Sequence, residues 1–241
     1  MARYEIEGIE YPSVTQITGL LDKSDALLGW ATGCMEKYIL NKLGEGSIED
    51  IIHEARFNYK EISNEAKDIG TEVHNMIEWH IKSIIEKSEM PSYKGDRADE
   101  VQNGYLAFLD WEKENIKQWH ESELTVVNNE FYYAGQLDAV AELADGRMFV
   151  IDFKTSKGFY DGYDLQIAAY RNTDKIKNEY KIDGMGVLRL DKETGQPEWK
   201  EYKNYGRALA AFLALLDYYY SAKKRRLKNN PAVEKYHKKL N

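Results

Sequence analysis

Apolar residues at Ile69, Val73, Met76, Ile77, Ile81 and Ile84, three and four apart with His80 among them, predict a helix with one packed face running on from Ser63. Tyr4 to Tyr11 alternates weakly and predicts a short hairpin turning at Glu7-Gly8. Pro12-Ser13-Val14-Thr15 then reads as a helix start, with Ile17, Leu20 and Leu21 on its apolar side. A second helix is expected from about Ala26 to Leu43, stopping at Gly44. Ile48 to about Lys87 is helical with a break near Asn58 to Ser63, Pro91 to Asp96 is a loop, and Asp99 to Trp119 is a further amphipathic helix.

From Glu121 the period changes to two. Glu121 to Asn128, residues 135–143, residues 147–154 and Gly184 to Leu190 predict strands. Asp164 to about Lys177 predicts a helix between strands, Asp191 to Gln196 a turn, and Trp199 to Tyr202 a short edge strand. Tyr205 to Lys223, dense in Ala, Leu and Tyr, closes the pattern as a helix. The order is that of an α/β core. Three regions are expected: an N-terminal helical lobe over 1–120, a core sheet with its helices over 121–222, and a basic tail over 223–241.

A chain of 241 residues can bury one substantial core with a helical appendage. No apolar run approaches the roughly 20 residues that span a bilayer, so no membrane partner is expected. The start, Met1-Ala2-Arg3-Tyr4-Glu5, lacks the features of a secretory or transit signal, and a cytoplasmic location is expected. Cys34 is the sole cysteine, which excludes an internal disulfide, a four-cysteine zinc site and a self-contained iron–sulfur cluster. A net charge of −8 argues against coating nucleic acid by bulk attraction but leaves local binding open. Positive charge gathers at the end, in Lys223, Lys224, Arg225, Arg226, Lys228, Lys235, Lys238 and Lys239. Such a tail can track phosphates, or form solvated helix turns whose cations suit the dipole.

The chemistry sits in the middle of the chain. Gly135-Gln136-Leu137-Asp138 and Ile151-Asp152-Phe153-Lys154 belong to two strands separated by Ala144-Asp145-Gly146. If those three residues form the loop, with Gly146 in the left-handed position, Leu143 pairs with Arg147 and Asp138 lies opposite Asp152. Lys154 then shares their face. Two carboxylates facing each other across a ladder are destabilising unless neutralised, and a divalent cation does that. A two-residue loop would put the aspartates on opposite faces instead. A lone Asp-x-Lys beside a hairpin is more often surface charge, so the remaining constellation matters.

Gly70-Thr71-Glu72-Val73-His74 lies on the helix with the packed face, His74 about 100° round from Val73. Alone, such a histidine is more often a hydrogen-bonded boundary residue than a ligand; its neutral nitrogen nevertheless suits Mn²⁺. Gln166 and Tyr170, four apart, project together and suit contacts to a nucleic-acid backbone or base, or a helix surface packed on the sheet. Glu72, Glu78, Glu121 and Glu123 are further carboxylates that surface placement explains as well.

Taken in order, Gly70-x-x-x-His74, Gly135-x-x-Asp138, Asp152-x-Lys154 and Gln166-x-x-x-Tyr170 resemble the RecB-like branch of the PD-(D/E)XK nuclease superfamily. Tyr11-Pro12-Ser13-Val14-Thr15, Lys23 and Leu28-Gly29-Trp30-Ala31 look like the phage-encoded and mitochondrial single-strand exonucleases of that branch. The resemblance covers roughly residues 11 to 220. It implies a restriction-endonuclease-like mixed sheet flanked by helices. It implies His74, Asp138, Asp152 and the Phe153 carbonyl as ligands of Mg²⁺ or Mn²⁺, Lys154 as the residue that positions or activates water, and Gln166 and Tyr170 as contacts to DNA. The activity implied is a DNA exonuclease acting from a single-stranded end in replication, recombination or repair, in the host cytoplasm if phage-encoded. A structure-specific or flap endonuclease, and an inactive nucleic-acid-binding relative, are the alternatives. One cysteine departs from relatives that hold an iron–sulfur cluster, and no Gly-x-x-x-x-Gly-Lys-Ser/Thr motor motif is present.

Overall fold

The computed structural model describes residues 3–92, 98–223 and 231–240. The expected loop at Pro91 to Asp96 falls partly outside those residues, and Lys224, Arg225, Arg226 and Lys228 fall wholly outside them.

A small hairpin opens the chain, β1 (Arg3–Ile6) against β2 (Ile9–Pro12), with Glu7 and Gly8 both at positive φ in the turn. Helix α1 (Val14–Thr18) starts at a capping box, Ser13 Oγ accepting from Gln16 N while the Gln16 side chain accepts from Ser13 N. Helices α2 (Ser24–Lys42), α3 (Ile48–Glu86) and α4 (Ala98–Asn115) follow. The expected break in α3 is absent: Asn58 to Ser63 holds neither glycine nor proline, and its polar residues are compatible with a solvated helix face.

A five-stranded mixed sheet forms the centre, in the order β3 (Ile116–Asn128), β4 (Tyr133–Leu143), β5 (Met148–Lys154), β6 (Gly184–Leu190), β7 (Pro197–Glu201). Only β5 and β6 run parallel. The α4 helix ends four residues earlier than its periodicity predicts, because Ile116, Gln118 and Trp119 pair with Leu143, Glu142 and Ala141 of β4. The expected helix over 164–177 is two, α5 (Tyr163–Arg171) and α6 (Asp174–Glu179). Thr173 stands in an extended conformation between them, and the Asn172 carbonyl accepts from Asn128 Nδ2 at 2.5 Å. Helix α7 spans Tyr205–Lys223. The end of the expected basic tail is a further helix, α8 (Pro231–Leu240), whose Val233 and Tyr236 are buried and whose Tyr236 stacks on Tyr220.

One face of the sheet, with Val140, Val150, Met185 and Val187, packs against Ile167 and Tyr170 of α5 and Phe212 and Leu216 of α7. The alternate positions point the other way, where Phe153 meets Phe108 and Trp199 meets Trp111 of α4. The chain divides into two compact units, residues 21–72 in one and residues 1–20 with 73–241 in the other. This division does not follow the boundaries read at residues 120 and 222: the later part of α3 and all of α4 belong with the sheet. No helix among the described residues is long and apolar enough to cross a membrane.

Candidate metal centre

The turn after β4 sets the register on which the site depends. Gly146 adopts φ 86°, its N–H donates to the Leu143 carbonyl, and Leu143 N donates to the Arg147 carbonyl at 2.9 Å. The pairs Glu142 with Met148, Ala141 with Phe149, Val140 with Val150 and Ala139 with Ile151 follow, and the ladder stops there. One step further on, in the same count, are Asp138 and Asp152. In place of a ladder bond, Asp138 Oδ2 accepts the Phe153 N–H at 2.7 Å. The strands thus part where the two carboxylates sit.

The same row continues onto β3. Ser122 pairs with Ala139 and Leu124 with Leu137, so Glu123 faces Asp138. Glu123 lies at φ 48°, uncommon for a residue with a Cβ, downstream of a register shift between Trp119 and Glu121. Three acidic residues on three adjacent strands therefore line up across the sheet.

His74 approaches from α3. Its Nδ1 is 3.7 Å from Glu123 Oε1 and 3.8 Å from Asp138 Oδ2, and its ring lies against Phe153. One ligand atom from each of His74, Glu123 and Asp138 fits within a 4.8 Å span. Asp152 stands outside that span, fully buried, with both oxygens engaged from its own side. Gln166 Nε2 donates to Oδ1 at 2.9 Å, and Lys154 Nζ is 2.5 Å from Oδ2. Oδ2 has no hydrogen-bond partner among the described residues, and its contact with Lys154 is an ion pair.

These surroundings shift Asp152, Asp138, His74 and Lys154. Burial pushes the Asp152 carboxyl up to about 6, and Asp138 adds to the rise while Lys154 and His74 oppose it. Burial likewise raises Asp138, against the pull of His74 and Lys154. For His74, burial alone lowers the imidazole, yet Asp138 and Glu123 outweigh it and leave it above its ordinary value. Lys154 follows the same pattern, with desolvation overcome by Asp152 and Asp138.

Burial raises both carboxyls more than Lys154 and His74 lower them, which leaves the ionised acids with a deficit of counter-charge. A hard divalent cation fits that deficit, and the oxygen and imidazole donors suit Mg²⁺ or Mn²⁺. His74, Glu123 and Asp138 would hold such an ion, with Asp152 beside them.

Of the sequence-expected residues, His74, Asp138, Asp152, Lys154 and Gln166 come together. Phe153 enters through its backbone N–H and its ring. Tyr170 is buried, 3.4 Å from Gln166 Nε2, and fills the space that Gly135 leaves: a Cβ on Gly135 would stand 2.6 Å from its Cε1. In the sequence Glu123 is one of four glutamates that surface placement explains as well. Its spacing carries no signal, because the shifted register and positive φ decide where it points.

Neither a protein-family model nor a curated protein matches this chain.

Proposed function

We infer that this chain is a divalent-cation-dependent deoxyribonuclease, an exonuclease that hydrolyses phosphodiester bonds from a single-stranded end. One observation carries the reading: Glu123, Asp138 and Asp152 form a row across β3, β4 and β5, with His74 at one side and Lys154 at the other. The ordered motifs that resemble the RecB-like nucleases support it, since each supplies a residue to this row or its flank.

A bound Mg²⁺ or Mn²⁺ supplies a Lewis acid for the phosphoryl oxygens and lowers the pKa of a coordinated water. The remaining roles belong to the chain. Lys154 brings a partly buried ammonium beside the acids, where it stabilises charge as it builds on the phosphate more than it stabilises the ground state. Gln166 fixes the orientation of Asp152 through its amide. Tyr170, behind Gly135, is a packing support for Gln166 and reaches no surface. His74 and Glu123 complete the donor set from outside the hairpin.

The test uses a labelled single-stranded oligonucleotide with Mg²⁺ or Mn²⁺, comparing wild type with Asp152→Ala and Lys154→Ala. Wild type is expected to shorten the strand progressively, and each variant to lose at least about a hundredfold in rate, the scale of removing a transition-state stabiliser. Degradation of a circular single strand at the same rate would shift the reading to an endonuclease of the same chemistry. An intact strand with wild type across a metal and pH series would remove catalysis.

A further inference from the structure

We propose that the loop between β5 and α5, together with the end of β7, forms a subsite that stacks an unpaired nucleobase and holds its neighbouring phosphate beside Asp152 and Lys154. It rests on the nucleic-acid reading above and names the part of the substrate next to the cut.

The sheet register brings the pieces together. Asp152 pairs with Val187 of β6, and Val187 with Lys200 of β7, so Lys200 lies in the row of Asp152 on the same face. Two strand spacings, about 10 Å, separate their backbones. From the other direction, Lys154 Nζ is 5.2 Å from the centroid of the Tyr163 ring, and Tyr163 packs edge-on against Tyr160 at 6.0 Å. Lys200 Nζ lies 5.2 Å from the Phe159 ring and 5.1 Å from Tyr202. Four aromatic rings and two ammonium groups thus adjoin the acidic row.

The loop that presents them is held. Tyr163 Oη donates to Ser156 Oγ at 3.1 Å, Ser156 Oγ donates to the Gly158 carbonyl, and Arg189 donates to the Ser156 carbonyl at 3.3 Å. Arg189 is buried and itself pinned by Glu198 and Asp191. Phe159, Tyr163 and Tyr202 are half-buried against the core, whereas Tyr160 is 53% exposed. Among the described residues, Tyr160 is not part of the hydrophobic core. A ring held in place yet open to solvent is a platform for another flat apolar group.

Charge selects the occupant. Lys154 and Lys200 suit phosphates, and the rings between them suit bases. Asp161 and Asp164 also lie near Tyr202 and disfavour a continuous run of phosphates there. A base on the rings with its phosphate toward the lysines satisfies both. A duplex keeps its bases stacked on each other, so the surface fits a single strand.

The experiment is fluorescence anisotropy of a labelled oligo-dT in Ca²⁺ with wild type, Tyr160→Ala, Tyr160→Phe and Lys200→Ala, alongside KM and kcat for the same strand in Mg²⁺. Tyr160→Ala is expected to weaken binding about tenfold, equivalent to about 1.4 kcal/mol, and to raise KM with a smaller effect on kcat. Tyr160→Phe should restore wild-type values, and Lys200→Ala should weaken binding and flatten its salt dependence. Unchanged binding by Tyr160→Ala in an active enzyme, or equal competition by a blunt duplex, would overturn the subsite and leave the nuclease reading standing. Tyr160-dependent oligo-dT binding without cleavage would keep the subsite and remove the nuclease reading. Absence of oligonucleotide binding by wild type would remove both.

Discussion

Asp152, Asp138, His74 and Lys154 all bind protons more tightly in the folded protein than their ordinary values imply: burial raises the two acids, and the neighbouring carboxylates raise the two bases against the opposing effect of burial. A group whose folded pKa is raised contributes stability that is fully present below its unfolded value and lost as pH rises through the folded one. For Asp152, raised from 3.8 to about 6, the loss runs between those two values, with its tail above pH 5.5, and amounts to about 3 kcal/mol at most, at 1.36 kcal/mol per unit. His74, raised above 6.5, acts in the same direction over a slightly higher window. The metal-free protein is therefore expected to melt at a lower temperature at pH 8 than at pH 5.5. Protons and cations compete for the same oxygens, so Mn²⁺ should raise the melting temperature more at pH 8. Differential scanning fluorimetry in EDTA and in Mn²⁺ at both values checks this; an equal Mn²⁺ shift at the two pH values would contradict it.

Between elements, the α3–α4 crossing positions His74, which a helix rather than the sheet brings to the site. Gly104 of α4 allows that approach: a Cβ there would stand 2.8 Å from Val73 Cγ2, and Val73 precedes His74. Alanine at 104 gains roughly 1 kcal/mol of helix propensity but overpacks the crossing at about 1–3 kcal/mol. Gly104→Ala is expected to be net destabilising and to weaken Mn²⁺ binding. Adding Val73→Ala should recover part of both losses, a non-additive cycle measurable by urea denaturation and calorimetric titration. Additive effects would show that the two residues do not share the crossing. The same crossing shows where periodicity misleads: it ran α4 on to Trp119, yet residues 116–119 are claimed by β4. The register of β4 and β5, by contrast, was legible because Ala144-Asp145-Gly146 carries its own turn chemistry. The register shift in β3, which turns Glu123 toward Asp138, has no comparable mark in the chain.

For the whole molecule, a net charge of −8 with an acidic centre makes the proposed nucleic-acid binding conditional on a cation. Without a divalent cation the acidic row repels a phosphate. Oligo-dT affinity is expected to be lost in EDTA, restored by Ca²⁺, and to fall with salt along a log–log slope of about −1 to −3, since a single strand contributes about −0.7 per neutralised phosphate. Anisotropy titrations between low and high salt measure this slope. A much steeper slope would point to the cationic end of the chain as a main contact. The amino-acid sequence by itself determined the succession of helices and strands in outline, the hairpin register and, in that count, the positions of Asp138 and Asp152 one step beyond the ladder, because these follow from alternation and from a three-residue turn. Only the tertiary structure decided that Glu123 joins His74, that Asp152 is held by Gln166 and Lys154, and that residues 73–115 belong with the sheet. Each of these depends on contacts between residues far apart in the chain, where burial and competing partners, rather than local preference, set the lowest free energy.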